Sequence, residues 1–347
     1  MADECDVVVI GGGAAGLSGA LMLARARRSV VVIDAGEPRN APAEGVHGLL
    51  GLDGTRPGEL LERGREEVRG YGGRILRGTV RSVARVEGWF VVERSVPGGV
   101  GGRPPTSDRS GGAGVRARRV LVTTGLADEL PDVPGLRDRW GRDVLHCPYC
   151  HGWEVRDRAI GVLGGGPFSV HQALLFRQWS DDIVYFSHTA PPDGEQAEEL
   201  AARGVRVVDG KVESLEVTGD RLAGVRPAGG DVVARDALVV SPRMVARAGF
   251  LEGLGLRPVE HPSGAGTHVP ADAAGRTEVP GVWVAGNVTD LMAQVGAAAA
   301  AGALAAVQIN ADLVAEETRD AVARRGFSAA SEARNCERVL GDRRHGL

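Results

Sequence analysis

The sequence predicts an α/β protein with two Rossmann-like nucleotide-binding domains, and three observations carry that prediction. The segment DVVVIGGGAAGLSGALMLARA from Asp6 runs from β-branched residues through glycines into an apolar stretch at helical spacing. That is the pattern of a buried parallel strand feeding a helix. AIGVLGGGPFSVHQALLFRQ from Ala159 repeats the plan about 150 residues later. Each is followed by another β-branched strand, VVVIDAG near Val31 and DIVYFS near Asp182, so each completes a βαβ unit.

Taken in order, the first glycine run sets Gly11, Gly13 and Gly16 after a strand and ahead of a helix. The first glycine permits the tight turn, the second lets a pyrophosphate approach the backbone, and the third lets helix and strand pack closely. The helix N-terminus adds amide donors and partial positive charge. Asp34 ends the next strand, 18 residues after Gly16, where a carboxylate can accept from ribose hydroxyls. Antiparallel strands are expected around Arg74–Val86 and Trp89–Arg94. The stretch from Pro97 to Gly114 is rich in glycine, proline and serine and reads as a mobile surface loop. Order returns at VRARRVLVTTGL, a strand ending on Thr123, Thr124 and Gly125. The last ordered unit is a strand at VPGVWVAGN and a long alanine-rich helix from about Met292. Beyond about Glu317 one more helix and a frayed end are expected.

Composition narrows the class. The chain has 347 residues, 52 of them glycine, with 43% hydrophobic and 25% charged residues and a net charge of −4. At roughly 100–200 residues per domain, two domains and a sizeable core are expected. No apolar run approaches the roughly 20 residues of a membrane span. No charged-then-apolar leader precedes Asp6, so a cytoplasmic protein off the membrane is expected. Mild acidity without a basic block argues against nucleic acid as a partner. Four cysteines in this length do not make a secreted disulfide scaffold.

The second glycine run is a damaged copy of the first. Serine stands at Ser169 in place of the third glycine, and Pro167 and Phe168 sit where the turn should face phosphate. The following strand ends in Ser187-His188-Thr189, with neither the carboxylate of an NAD reader nor the arginines of an NADP reader. A scaffold without a strong nicotinamide site is expected there.

The sharpest chemical signal is His146-Cys147-Pro148-Tyr149-Cys150-His151. CxxC brings two sulfurs close enough for a small disulfide ring, and beside a βαβ unit it reads as redox-active. Zinc is the rival, but a structural site wants four ligands, and Cys5 and Cys336 are solitary. Taking all four from one hexapeptide would strain the geometry. A pair of buried structural thiols is the bland alternative, and flanking histidines fit it poorly. Ala285-Gly286-Asn287 and the helix after it read either as close-packed core or as a turn and helix N-terminus for a negatively charged cofactor edge.

With those residues in view, the chain resembles the low-molecular-weight thioredoxin reductase group of flavoproteins. The match runs from Asp6 to about Leu313 and rests on GGGAAG with its acid, TTGL, CPYC, and VAGNV followed by Gln294-Val295. The resemblance implies an FAD domain formed by 1–126 and 243–318, a central domain over 127–242 carrying CxxC, and a tail over 319–347. It implies FAD pyrophosphate at Gly11, Gly13, Ala14, Ala15 and Gly16, ribose at Asp34, and a cofactor contact at Ala35. Further cofactor contacts are implied at Arg39, Asn40, His47, Thr124 and Gly125. Asn287 would lie near the ribityl chain, with Gly286 beside it as a cofactor contact, and Gln294 and Val295 against the flavin ring. A homodimer is implied too.

Departures from the reductases point further. The aspartate that follows their CxxC is replaced by His151, the basic run of their NADPH domain by Ser187–Thr189, and their paired glutamates by His171 and Gln172. With EPRN at Glu37–Asn40 and VHG at Val46–Gly48, this looks like the dithiol oxidase branch. Those enzymes close disulfides in natural products of the gliotoxin, holomycin and romidepsin kinds. That resemblance implies a small-molecule dithiol as substrate and O2 as acceptor, giving H2O2. It implies Cys147 as the exchange sulfur, Cys150 facing the flavin, and His151, or failing it His146, as base. An NADPH-dependent disulfide reductase, a ferredoxin-fed reductase and a non-catalytic flavin or zinc sensor are the alternatives.

Overall fold

The computed structural model describes residues 3–95, 114–325 and 329–340. The first unit begins with β1 (Asp3–Ile10), α1 (Ala14–Arg25) and β2 (Val30–Asp34). Val7, Val8 and Val9 are fully buried, as a strand covered on both faces requires. Each such side chain contributes about 1.5–3 kcal/mol of burial. Helix α2 (Pro57–Gly70) leads to β3 (Arg74–Arg77), β4 (Thr79–Val86), β5 (Trp89–Ser95) and β6 (Val115–Val122). The sheet order is β3-β2-β1-β6-β5-β4. Only β4 and β5 form the expected antiparallel pair; β3 pairs parallel with β2, so Arg74–Val86 is two strands broken at Gly78. Apart from Gly114, the expected loop from Pro97 lies outside the described residues.

After β7 (Leu126–Glu129) the chain enters a second core. Here α3 (Leu136–Arg139), β8 (Val144–Leu145) and α4 (Pro148–His151) precede β9 (Ile160–Leu163), α5 (Ser169–Phe176) and β10 (Ile183–Phe186). Helix α6 (Gly194–Ala202) and β11 (Arg206–Val208) follow, then an antiparallel meander β12 (Val212–Thr218), β13 (Arg221–Pro227) and β14 (Val233–Ala234). With β15 (Ala237–Val239) the parallel sheet β11-β10-β9-β15-β8 is complete. This is the second βαβ plan read from Ala159.

The chain then returns to the first core. Strands β16 (Arg243–Ala246), β17 (Val259–Glu260) and β18 (Gly266–His268) join β7 in a small sheet. Strand β19 (Val282–Val284) pairs parallel with β6, and α7 (Val295–Arg324) and α8 (Ala329–Leu340) end the described chain.

Helix α7 departs from two expectations. By length and composition it is apolar enough to cross a membrane, because the uncharged Gln308 and Asn310 do not break its alanine-rich run. It packs on α1 so closely that a Cβ at Gly302 would meet the Ala15 carbonyl oxygen at 1.9 Å. It also runs on past Glu317 without the expected break. Arg119, at 9% side-chain exposure, pairs with Asp312 and Glu316 at 2.6 Å each. Arg118 and Arg28 hold Glu317 at 2.7 and 2.6 Å. These partly buried pairs fix the helix against β6 and the end of α1.

Candidate active site

One cavity of about 700 Å³ lies where the two cores meet. Its first wall is the β1–α1 turn. Gly11 takes φ +112°, and a Cβ on Gly16 would meet the Gly11 carbonyl oxygen at 1.9 Å, so turn and helix touch backbone to backbone. Gly13 caps α1 without any side-chain hydrogen bond, which leaves the first-turn amides open toward the cavity. Asp34 closes this wall. Its Oδ1 accepts from the Gly36 amide at 3.0 Å and its Oδ2 from Arg65 at 3.1 Å.

The opposite wall is the CxxC segment. Cys147 caps the short α4, and Cys150 Sγ–H donates to Cys147 Sγ at 2.6 Å. Tyr149 packs edge-on to Trp179 at 5.9 Å and steadies the turn. The Cys150 hydrogen bond, with the Tyr149 and Cys150 amides and the Gln294 side chain, lowers the Cys147 pKa to about 7. Cys150, donating to that sulfur and partly buried, is pushed upward. Gln294 is also the N-cap residue of α7 and makes no side-chain cap bond, so a second open helix N-terminus faces the sulfurs.

Both flanking histidines line the cavity. Burial lowers the His151 pKa, and the neighbouring His47 adds to that against the opposing pull of Glu154. Burial lowers His146 as well. Its Nδ1–H donates to the Val240 carbonyl at 3.1 Å, which leaves Nε2 of the neutral ring as the acceptor. Gln172 Nε2 donates to the His146 carbonyl at 3.1 Å, and Gln172 Oε1 accepts from Ser241 at 2.6 Å.

The structure brings nearly every expected site residue to this cavity. Gly11, Gly13, Ala14, Ala15, Asp34, Ala35, Arg39, Asn40, His47, Thr124 and Gly125 line it from the first core. Gly286, Asn287, Gln294 and Val295 line it from the returning segment. Gly16 does not; it lies beneath the turn. Two side chains are differently employed than expected. Arg39 is held in a two-pronged ion pair with Asp128, at 2.7 and 2.6 Å. The Asn287 amide nitrogen donates to the carbonyls of Asp290, Leu291 and Ala293, tying the turn before α7 and leaving its oxygen for a ligand. Arg65, Arg247 and Phe250 also line the cavity, and as lone residues far apart in sequence they carry no spacing signal; Gln172, a departure from the reductases, acts from behind through the His146 carbonyl.

The second glycine loop is arranged differently. The Ser169 hydroxyl accepts from the amides of Gly165 and Gly166 at 3.2 Å each, occupying donors that would otherwise face phosphate. Beyond β10, Ser187 donates to Asp209 at 3.0 Å, and His188 Nδ1 accepts from the Val212 amide at 3.0 Å.

A model of the pyridine nucleotide-disulphide oxidoreductase family matches residues 5–302. The chain belongs to that family. Family members of the thioredoxin reductase type are FAD-binding flavoproteins, and this chain is a flavin-dependent oxidoreductase. The solved structure of HlmI is 45% identical, covers 97% of each chain and superposes with a TM-score of 0.80. An oxidoreductase from Agrobacterium tumefaciens is 34% identical over 90% of this chain and 99% of its own, with a TM-score of 0.79. Thioredoxin reductase tcpT of Claviceps purpurea is 30% identical over 89% of this chain and 95% of its length. The site suits the cofactor. Two open helix N-termini and a glycine turn offer donors to a dinucleotide, and a carboxylate stands where a ribose can donate.

In the reduced protein, iodoacetamide is expected to alkylate Cys147 with a rate that rises through a midpoint near pH 7. A lowered pKa populates the thiolate above that value and loses it as pH falls below, whereas a free thiol titrates at about 8.5. Peptide mapping should find Cys150 unmodified over the same range. A Cys147 midpoint at the free-thiol value would contradict the hydrogen bonding described.

Proposed function

We propose that this flavoenzyme is a dithiol oxidase. It closes an intramolecular disulfide in a small-molecule dithiol of the natural-product kind, with O2 as final acceptor and H2O2 as product. The observation that carries the reading is the shared cavity, in which paired sulfurs and two histidines of lowered pKa face the glycine turn, Asp34 and the α7 N-terminus. Bound FAD supplies a two-electron couple between the cysteine pair and oxygen. Gly11, Gly13, Ala14 and Ala15 would hold its pyrophosphate, Asp34 its ribose, and Gln294 and Val295 its ring.

The protein's own part is thiol chemistry. With Cys147 and Cys150 joined, a substrate thiolate attacks one sulfur and forms a mixed disulfide. The second substrate thiol resolves it, so the substrate gains one S–S bond, loses two S–H protons and leaves both cysteines reduced. A free thiol is only a few per cent ionised at pH 7. His151, neutral because it is buried, can take the proton of the arriving thiol, and Nε2 of His146 offers a second acceptor. A homodimer in the cytoplasm belongs to the same reading. Exposed Leu304, Val307 and Val314 along α7 support the dimer. Sedimentation at a monomer's mass would remove that part.

The names of the curated relatives favour a second reading, an NADPH-dependent disulfide reductase. The Ser169 hydrogen bonds speak against it, and so does the end of β10, where Ser187–Thr189 holds no arginine for a 2′-phosphate, though Lys211 is a charged side chain felt by His188. Each missing charge-assisted hydrogen bond costs about 1.5–3 kcal/mol, and two make a deficit of about 10²- to 10⁴-fold in NADPH affinity. Anaerobic stopped-flow mixing of the holoenzyme therefore separates the readings. Dithiothreitol should bleach the flavin faster than equimolar NADPH. Admitting air should then yield peroxide. Bleaching by NADPH at the faster rate would establish the reductase instead.

A further inference from the structure

We propose that His47, seated between Glu154 and Asp53, is the proton outlet of the site, a positioning residue that carries protons between His151 in the cavity wall and water. The inference rests on the dithiol oxidase reading and deepens it. His47 Nε2 lies 3.5 Å from Glu154 Oε1, and its Nδ1 lies 3.5 Å from Asp53 Oδ2. The other Asp53 oxygen accepts from the Gly48 amide at 2.8 Å, so this carboxylate is held toward the ring. His47 and His151 both line the cavity, whereas Asp53 and Glu154 stand outside it. Side-chain exposure rises from 27% at His47 to 40% at Glu154 and 67% at Asp53. A row of titratable groups therefore leads from the cavity wall to solvent.

Proton balance gives that row a task. Closing the substrate disulfide breaks two S–H bonds and reduces the Cys147–Cys150 bond to two thiols. Re-forming that bond passes two electrons to the flavin and releases two sulfhydryl protons, and oxygen takes up two electrons and two protons as H2O2. Protons must leave the sulfurs and be returned in each cycle, in a site where burial disfavours a charged His151. The charges near His151 suit a transfer outward. Glu154 favours a proton on that ring and a proton on His47 disfavours it, so the two rings feel each other's charge. Beyond Cys147, Cys150 feels the charges of Arg39 and Glu154, and neither is a neutral acceptor like imidazole.

His47 reaches Glu154 from a hairpin of the first core, closed by the Val46–Thr55 bridge, while Glu154 follows α4 of the second. The row is complete only while the CxxC segment stands against the cavity, which ties proton exit to the pose in which the sulfurs can react.

The test uses the flavin-loaded enzyme with dithiothreitol, mixed anaerobically at fixed pH and ionic strength in a series of imidazole concentrations. Wild-type flavin reduction should not respond to imidazole. His47→Gln should keep its flavin but react about 100-fold more slowly, the lower end of what a positioned proton carrier contributes. Added imidazole should restore it. Glu154→Gln, on a half-exposed side chain, should show a smaller loss restored in the same way. A His47→Gln enzyme as fast as wild type, or a slow one that imidazole does not help, overturns the outlet and leaves the oxidase reading standing. If dithiothreitol fails to reduce wild-type flavin, the oxidase reading falls and takes the outlet with it.

Discussion

Replacing either Cys147 or Cys150 by serine is expected to abolish dithiol turnover, by about 10³-fold or more, the scale on which removal of an essential nucleophile is felt. Flavin should remain bound, because neither sulfur belongs to the glycine turn or the Asp34 wall. The two variants should differ in what they can still do. A pKa of about 7 leaves roughly half of Cys147 as thiolate at neutral pH in the reduced pair. Cys150→Ser keeps a hydroxyl that can donate to that sulfur, so Cys147 should attack the disulfide form of the product and be trapped as a mixed disulfide. Cys147→Ser removes the sulfur that does most to push Cys150 upward but leaves Cys150 partly buried, and it should trap less. Intact-mass measurement after incubation with the cyclic disulfide distinguishes them. An adduct on Cys147→Ser and none on Cys150→Ser would exchange the roles of the two sulfurs.

Gly16→Ala is expected to produce a protein without flavin and with a melting temperature lowered by several degrees. The new methyl group would stand 1.9 Å from the Gly11 carbonyl oxygen and 2.6 Å from Thr123 Oγ1. Thr123 itself donates to the Gly11 carbonyl at 2.9 Å and to the Ile10 carbonyl at 3.1 Å, so the turn cannot swing away without losing those bonds. Overpacking typically costs 1–3 kcal/mol, and contact with a fixed backbone atom puts this site at about 3 kcal/mol or more. The same shift would move the open amides of α1 that face the cavity. Flavin absorbance after purification and a thermal melt check both effects. A full flavin load with an unchanged melting temperature would show that the helix and turn do not touch as described.

Much of the architecture was legible because local rules and the global fold agree. β-Branched runs followed by glycine and an apolar helix encode a parallel strand and its return wherever they occur, and both copies folded as read. The CxxC pair was legible for the same reason, since a two-residue spacing sets sulfur against sulfur across a single turn. The span from Arg74 to Val86 was harder. Its first strand pairs parallel with Val31–Asp34, and a choice of partner that far along the chain leaves no local periodic trace. The end of α7 was misread because Glu316 and Glu317 look like solvated charges until Arg118, Arg119 and Arg28 arrive from two other elements.

The linear order of residues thus determined the two nucleotide-binding-type units, the sulfur pair, the acid after the first glycine turn and the damaged second turn, each written within some twenty neighbouring residues. Only the tertiary structure decided that Arg39 is bound to Asp128, that Asn287 ties a turn, that Ser169 occupies the loop amides, and that His47 meets Glu154 across the two cores. The physical reason is range. Backbone propensity and side-chain periodicity act over a few residues, whereas ion pairs and hydrogen bonds between distant segments exist only after packing has brought those segments within about 3–4 Å.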